Sequence, residues 1–196
     1  MKKRIMVILM IIIFLLLILA IDTSFLNIDE IFNYYIENLK NANLTMFFKL
    51  VTKLGNFLWC LIIGVITSIF FKNKNRLIIP ISVIFMKIFD LVIKVIIKRP
   101  RPNHILINAD SFSFPASHAA LSMTLYGLLI ILIYRKIQKN SVKWLLIILL
   151  SILILIIGVS RIYLGVHYFT DVLGGYILGL IYLVLIKDTI KEWFYV

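Results

Sequence analysis

The sequence predicts an all-α polytopic membrane bundle of six transmembrane helices, with a further helix lying in the interface on the extracytoplasmic side. Three observations predict it. Of the 196 residues, 62% are hydrophobic and the mean hydropathy is +1.05, more apolar surface than a soluble domain of this length can bury. Apolar runs approaching the about 20 residues of a membrane span recur at roughly 5–21, 56–71, 77–97, 117–134, 144–163 and 170–187. The cations then fall into register. Lys2, Lys3 and Arg4 precede the first run, and Lys72, Lys74 and Arg76 join the second to the third. Arg135, Lys136, Lys139 and Lys143 join the fourth to the fifth, and Lys187 and Lys191 follow the sixth. With six spans these segments share one face, which the positive-inside rule assigns to the cytoplasm together with both termini. Little is left for a soluble module, so residues 1–196 read as one membrane-embedded domain of a multi-pass cell-membrane protein.

The first run follows Met1-Lys2-Lys3-Arg4, a start it shares with secretory signals. It is long, and Ala20-Ile21-Asp22 is a poor cleavage site, so it is read as a retained helix. Residues 22–55 form the first outer connection. Phe25, Ile28, Phe32, Tyr35 and Leu39 recur near the helical repeat, with Asp29, Glu30 and Glu37 between them. That pattern suits an amphipathic interfacial helix, continuing through Leu44, Phe47, Phe48 and Val51 into the second span. It either packs over the bundle or admits a lipid. Cys60, the only cysteine, excludes an intramolecular disulfide and a cysteine metal cluster, and reads as a small packing residue. The net charge of +12 is a topology signal; with no soluble basic module to carry it, nucleic acid is excluded as a partner.

The third run carries charges at a depth where they are costly: Lys87, Asp90 and Lys94, at i, i+3 and i+7. Such groups pair and face the bundle interior, so Asp90 is read as a supporting partner of Lys94 or Lys87. The run then ends in Lys94-Val-Ile-Ile-Lys98-Arg99-Pro100-Arg101-Pro102, four cations on the face that should hold few. Lys98 and Arg99 read as anchors snorkelling to the interface. Lys94 and Arg101 start about two helical turns apart on one face, and the prolines end the helix with Arg101 at the mouth. An ammonium and a planar guanidinium together suit phosphate oxygens.

Pro115-Ala116-Ser117-His118 opens the fourth run, where free N–H groups and the helix dipole favour an anion. A plain helix cap at Ser113 or Ser117 is the competing account. Ser160-Arg161 closes the fifth run, and His167 and Asp171 begin the sixth, four residues apart and so on one helix face. A carboxylate on one imidazole nitrogen raises the basicity of the other, as in an activated nucleophile with its orienter. Gly165 allows a tight turn, and Gly174, Gly175 and Gly179 suit close helix packing. His104 and Asp110 read as loop residues without a role. These stretches converge on one extracytoplasmic anion site; the residues alone leave open which histidine attacks.

Lys94, Arg101 and Pro102, then Pro115 to His118, then Ser160, Arg161, His167 and Asp171 resemble the three motifs of the type 2 phosphatidic acid phosphatase family. These are membrane lipid phosphatases related to vanadium haloperoxidases, with the patterns K-x6-R-P, P-S-G-H and S-R-x5-H-x3-D. The first and third fit without a gap. The second departs, with Ala116 for the family's serine and Ser117 for its glycine. The resemblance covers about 87–180. It implies that His167 attacks phosphorus to form a phosphohistidine, that Asp171 orients it, and that His118 protonates the leaving oxygen and then activates water. It implies that Lys94, Arg101, Arg161 and donors at Ser117 hold the phosphoryl oxygens, with Asp90, Ser160 and Pro102 in support. The substrate is then a membrane lipid phosphate: undecaprenyl diphosphate, phosphatidylglycerol phosphate, phosphatidic acid or diacylglycerol pyrophosphate. A phosphotransferase with the same intermediate and a non-catalytic anion transporter are the alternatives. A two-metal phosphatase needs several converging carboxylates and histidines. On this face only Asp171 and Asp110 accompany the histidines, so no metal or cofactor is expected.

Overall fold

A computed structural model of the chain describes residues 2–21, 27–69, 77–103, 105–107, 109 and 111–192. Phe25, Lys72, Lys74, Arg76, His104 and Asp110, and the side chains of Lys2 and Lys191, lie outside the described residues. Eight α-helices are described: α1 (Lys2–Ile21), α2 (Asn27–Asn38), α3 (Ala42–Val51), α4 (Phe57–Ile69), α5 (Ile78–Ile97), α6 (Ser117–Lys136), α7 (Asn140–Tyr163) and α8 (Phe169–Glu192). A 3-10 turn, Thr52–Gly55, joins α3 to α4, and the described residues contain no strand.

Four helices are long and apolar enough to cross a membrane: Lys3–Ile21, Ser117–Lys136, Asn140–Tyr163 and Phe169–Asp188. Ala42–Gly55 and Phe57–Ile69, bent by 54° at their junction, make a fifth when counted as one broken span. By itself α4 has 13 residues, about 20 Å of helix, less than the about 30 Å hydrocarbon core. The α5 helix has 20 residues but carries Lys87, Asp90 and Lys94. The chain is thus an all-helical, multi-pass membrane protein.

The single interfacial helix expected over 25–51 is two helices. Asn41 breaks it by capping α3, its Oδ1 accepting the Leu44 N–H at 2.9 Å. The apolar stripe of α2 also divides. Phe32 stacks on Phe169 with centroids 4.0 Å apart, while Ile28, Tyr35 and Leu39 are exposed.

At the centre stands α6, packed against α5, α7, α8 and the 3-10 turn. Small residues let it approach α8. A Cβ on Gly175 would lie 2.6 Å from the Ala116 carbonyl oxygen, and one on Gly179 would lie 2.7 Å from Met123. Without a hydrophobic drive between helices in lipid, such close backbone contact is what holds them together. The core around this seam includes Phe114, Leu121, Leu125, Leu128, Ile157 and Leu178. Cys60 is fully buried there, its thiol on the Leu54 carbonyl, in keeping with a packing role.

Candidate active site

At one end of the bundle, the end of α5, the 99–116 loop, the start of α6 and the α7–α8 turn meet. Lys98 stops α5 in a left-handed conformation (φ 52°), its N–H returning to the Lys94 carbonyl at 2.9 Å. Pro100 forbids the helix to continue. Lys94 therefore sits in the last turn of α5, 2% exposed, its ammonium donating to the Phe112 and Ser113 carbonyls at 2.7 and 3.3 Å. Arg101 reaches the same strip of loop: Nε donates to the Ser111 carbonyl at 2.6 Å and Nη2 to the Phe112 carbonyl at 3.4 Å.

The α7–α8 turn closes through Gly165 (φ 70°), a conformation that favours glycine, and presents His167 with 2% exposure. Arg101 Nη1 lies 3.3 Å from His167 Nε2 and donates to the Val166 carbonyl at 2.5 Å. On the far side of the ring, His167 Nδ1 is 3.5 Å from Asp171 Oδ2 and has no hydrogen-bond partner. Burial first, and then the positive charges of Arg161, Lys94 and Arg101, push the His167 imidazole well below its usual range. The ring is neutral near pH 7, and the pair with Asp171 is a polar contact between imidazole and carboxylate.

Arg161, in the last turn of α7, is 5% exposed; one amino group donates to Thr52 Oγ1 at 2.8 Å and its Nε is buried without a hydrogen bond. His118, in the first turn of α6, packs on Gly55, where a Cβ would come 3.2 Å from its own. Arg161, His167, Lys87 and Lys94 lie within electrostatic range of its ring. The α6 cap, Ala116, contributes no side-chain bond, and its N–H is used by the Asp171 carbonyl at 2.9 Å. Lys94, Arg101, Arg161, His118, His167 and Asp171 are thus brought together.

The supporting residues distribute differently. Asp90 takes the Ser117 hydroxyl at 2.6 Å and lies 3.9 Å from Lys87, with no hydrogen bond to Lys94. Of the two donors expected at Ser117, the hydroxyl is committed to Asp90, leaving the backbone N–H. Ser160 donates to its own helix at the Ile157 carbonyl, 2.5 Å. Pro102 is buried and helps line a neighbouring cavity of about 210 Å³ with Glu30, Asn33, Lys40, Asn103 and Tyr168.

Arg99 overturns its expected place as an interface anchor. Its side chain is 9% exposed and lies inside, bonded to Asp29 at 2.8 Å, to Asp171 at 2.5 Å and to Thr170 Oγ1 at 2.8 Å, over the Tyr168 ring at 4.1 Å. A guanidinium with two carboxylates in reach has no reason to snorkel. Lys98 does remain exposed. Asp29, 3% exposed, was missed altogether as part of this region. The available signal was a carboxylate on a lipid-facing helix, which demands a partner. Thr52 carried no signal at all.

Several known proteins are similar to this chain. The model of the PAP2 superfamily matches residues 54–195. Phosphatidylglycerophosphatase B of Bacillus subtilis (strain 168) is 33% identical over 143 residues, 70% of this chain and 70% of that protein. The crystal structure of a transmembrane PAP2-type phosphatidylglycerolphosphate phosphatase from Bacillus subtilis superposes with a TM-score of 0.86, at 27% identity and 98% coverage of both chains. That of Aquifex aeolicus LpxE shares the fold, with a TM-score of 0.66, 23% identity, and 82% and 93% coverage.

Proposed function

This chain belongs to the PAP2 superfamily, and from that membership we propose that it is a membrane lipid phosphatase working through a phosphohistidine on His167. One observation carries the mechanism: His167 is aligned between Arg101 at Nε2, 3.3 Å, and Asp171 at Nδ1, 3.5 Å. The carboxylate favours the Nδ1–H tautomer, leaving the Nε2 lone pair on the side where the cations gather. A phosphoryl group held by Lys94, Arg101, Arg161 and the N–H groups at the start of α6 meets that lone pair. As the bond from Nε2 to phosphorus forms, the bond to the leaving oxygen breaks, and His118 supplies that oxygen's proton. His118 then takes a proton from water, which displaces His167 and releases phosphate. Asp90 fixes Ser117, and with it the first turn of α6.

Phosphatidylglycerol phosphate is the substrate the relatives favour, ahead of undecaprenyl diphosphate, phosphatidic acid and diacylglycerol pyrophosphate. From the distribution of cations we infer six spans, both termini in the cytoplasm and the site at the extracytoplasmic face. There α2, with Ile31, Tyr34 and Tyr35 exposed, would lie at the interface where lipid headgroups arrive. Lys94, Arg101 and Arg161 would neutralise the phosphoryl oxygens, the task a metal pair performs in two-metal phosphatases.

The test is phosphate release from these lipids by the purified protein in detergent, with and without EDTA. Release is expected with phosphatidylglycerol phosphate, unchanged by the chelator, and His167→Ala should lower it by about 10³-fold or more. Full activity in His167→Ala would remove the histidine mechanism, and loss in EDTA restored by Mg²⁺ would remove metal independence.

A further inference from the structure

The aspartate that orients the nucleophile is itself held by residues that the three motifs leave unspecified. Asp171 Oδ2 faces His167 and accepts the Tyr168 N–H at 2.9 Å, while Oδ1 is bound by Arg99 at 2.5 Å. The other amino group of Arg99 is bound at 2.8 Å by Asp29, which comes from α2, 142 residues earlier in the chain than Asp171 (171 − 29). Asp29 also grips the residue just before Asp171: its Oδ1 accepts the Thr170 N–H at 2.9 Å and its Oδ2 the Thr170 hydroxyl at 2.7 Å. The side chains of Asp29, Arg99 and Asp171 are 4%, 9% and 0% exposed, so the chain of contacts is dry and its charges are weakly screened.

We propose that Asp29 and Arg99 are positioning residues for the hydrolysis, holding Asp171 so that its second oxygen stays aimed at His167. The inference rests on the phosphohistidine reading above. Geometry supplies the reason. A carboxylate rotates about one bond, and without Arg99 the Oδ1 of Asp171 loses its ion-pair partner, leaving the Tyr168 N–H on Oδ2 to resist that rotation. Arg99 alone would have the same freedom, since a guanidinium bound on one side swings on a long stem. Two fixed points remove it: Asp29 on the far amino group and the Tyr168 ring beneath, 4.1 Å away. The stack of Phe32 on Phe169, centroids 4.0 Å apart, seats α2 so that Asp29 arrives in register. The helix that carries the apolar side chains Ile31, Tyr34 and Tyr35 on its exposed face thus also completes the support of the nucleophile.

A helix tether with no bearing on the chemistry would tolerate loss of charge at Asp29. A positioning role would not. The test uses the full chain in detergent micelles, with ¹⁵N-labelled histidine and phosphatidylglycerol phosphate as substrate. In Asp29→Asn, kcat should fall by about 10- to 100-fold with KM within about twofold, as for a displaced reacting group. The His167 ring signals should move from a single tautomer toward an average, while those of His118 stay. Arg99→Gln should fall at least as far, and the double variant no further than Arg99→Gln alone, because Asp29 acts through Arg99. Thr170→Val removes the hydroxyl that donates to Asp29 and accepts from Arg99, without changing charge, and should show a smaller loss of the same kind. It decides the matter if Asp29→Asn fails to fold. Unchanged kcat and unchanged His167 signals in a folded variant, a loss confined to KM, or losses that multiply would each overturn the proposal. If the wild type releases no phosphate from any lipid, the proposed function fails, and the tautomer signals alone decide this inference.

Discussion

The four clearest membrane helices rank in opposite order by apolarity and by burial. The most apolar, α1, has 6% of its span buried; then follow α7 with 17%, α8 with 44% and, least apolar of all, α6 with 56%. A soluble protein would show the reverse. In a bilayer the solvent is apolar, so isoleucine and leucine gain nothing by turning inward, while glycine, serine and charged groups gain contacts and lose exposure to lipid. Departures from apolarity mark the interior here, and the interior of α6 and α8 is where His118 and Asp171 are found.

The sharpest way to break that contrast is to enlarge a residue on a buried seam. A Cβ on Gly158 of α7 would lie 1.9 Å from the Tyr176 hydroxyl oxygen and 2.7 Å from Val172. The tyrosine cannot simply retreat, since its hydroxyl donates to the Ile154 carbonyl at 2.8 Å. Gly158→Val is expected to cost about 3 kcal/mol through overpacking, seen as a lower unfolding temperature in detergent. Activity should fall with it, because Arg161 and Asp171 ride on these two helices. An unchanged transition would mean that the seam yields as easily as the lipid-facing side.

A pH profile sharpens the comparison from the polar side. Burial and the charges of Arg161, Lys94 and Arg101 depress the His167 pKa. Protonation removes the attacking lone pair, so with a depressed pKa activity survives as pH falls through about 6.5 and is lost only below it. An ordinary histidine would be only about 10% neutral at pH 5.5. After correction for ionisation of the phosphate substrate, the acid limb of kcat/KM should lie below the about 6.5 of an ordinary histidine. The same shift makes stability fall over that window, because the unfolded chain takes up a proton that the folded one refuses. An acid limb at 6.5 or higher would mean that water reaches the ring.

The helical class and the motif residues were legible because both are written locally, in run length and in short spacings. What stayed illegible was long-range. Arg99 read as an interface anchor, and what overturns that is the arrival of Asp29 from α2, a pairing across 70 residues that no periodicity encodes. The Ser117 hydroxyl was ambiguous until Asp90, 27 residues away, claimed it. The break at Asn41 was missed for the opposite reason: the apolar repeat runs straight through it, and the cap bond to Leu44 outweighs the repeat.

The smallest effect is expected where the apolar signal is strongest. Leu16 of α1 is 58% exposed and Phe14, two residues away, is 8% exposed and meets Phe114 with centroids 5.6 Å apart. Sequence alone does not separate them, since both belong to one continuous apolar run. Leu16→Ala removes methyl groups that face outward, and in a bilayer lipid chains fill the space as readily as protein would. No cavity is left, so the cavity cost that dominates core truncations is absent. Stability should change by less than about 0.5 kcal/mol and phosphate release by less than about twofold, measured in lipid nanodiscs. A clear loss at Leu16 would show that α1 is covered by another protein surface in the membrane, and that its apolar face is no longer a guide to lipid contact.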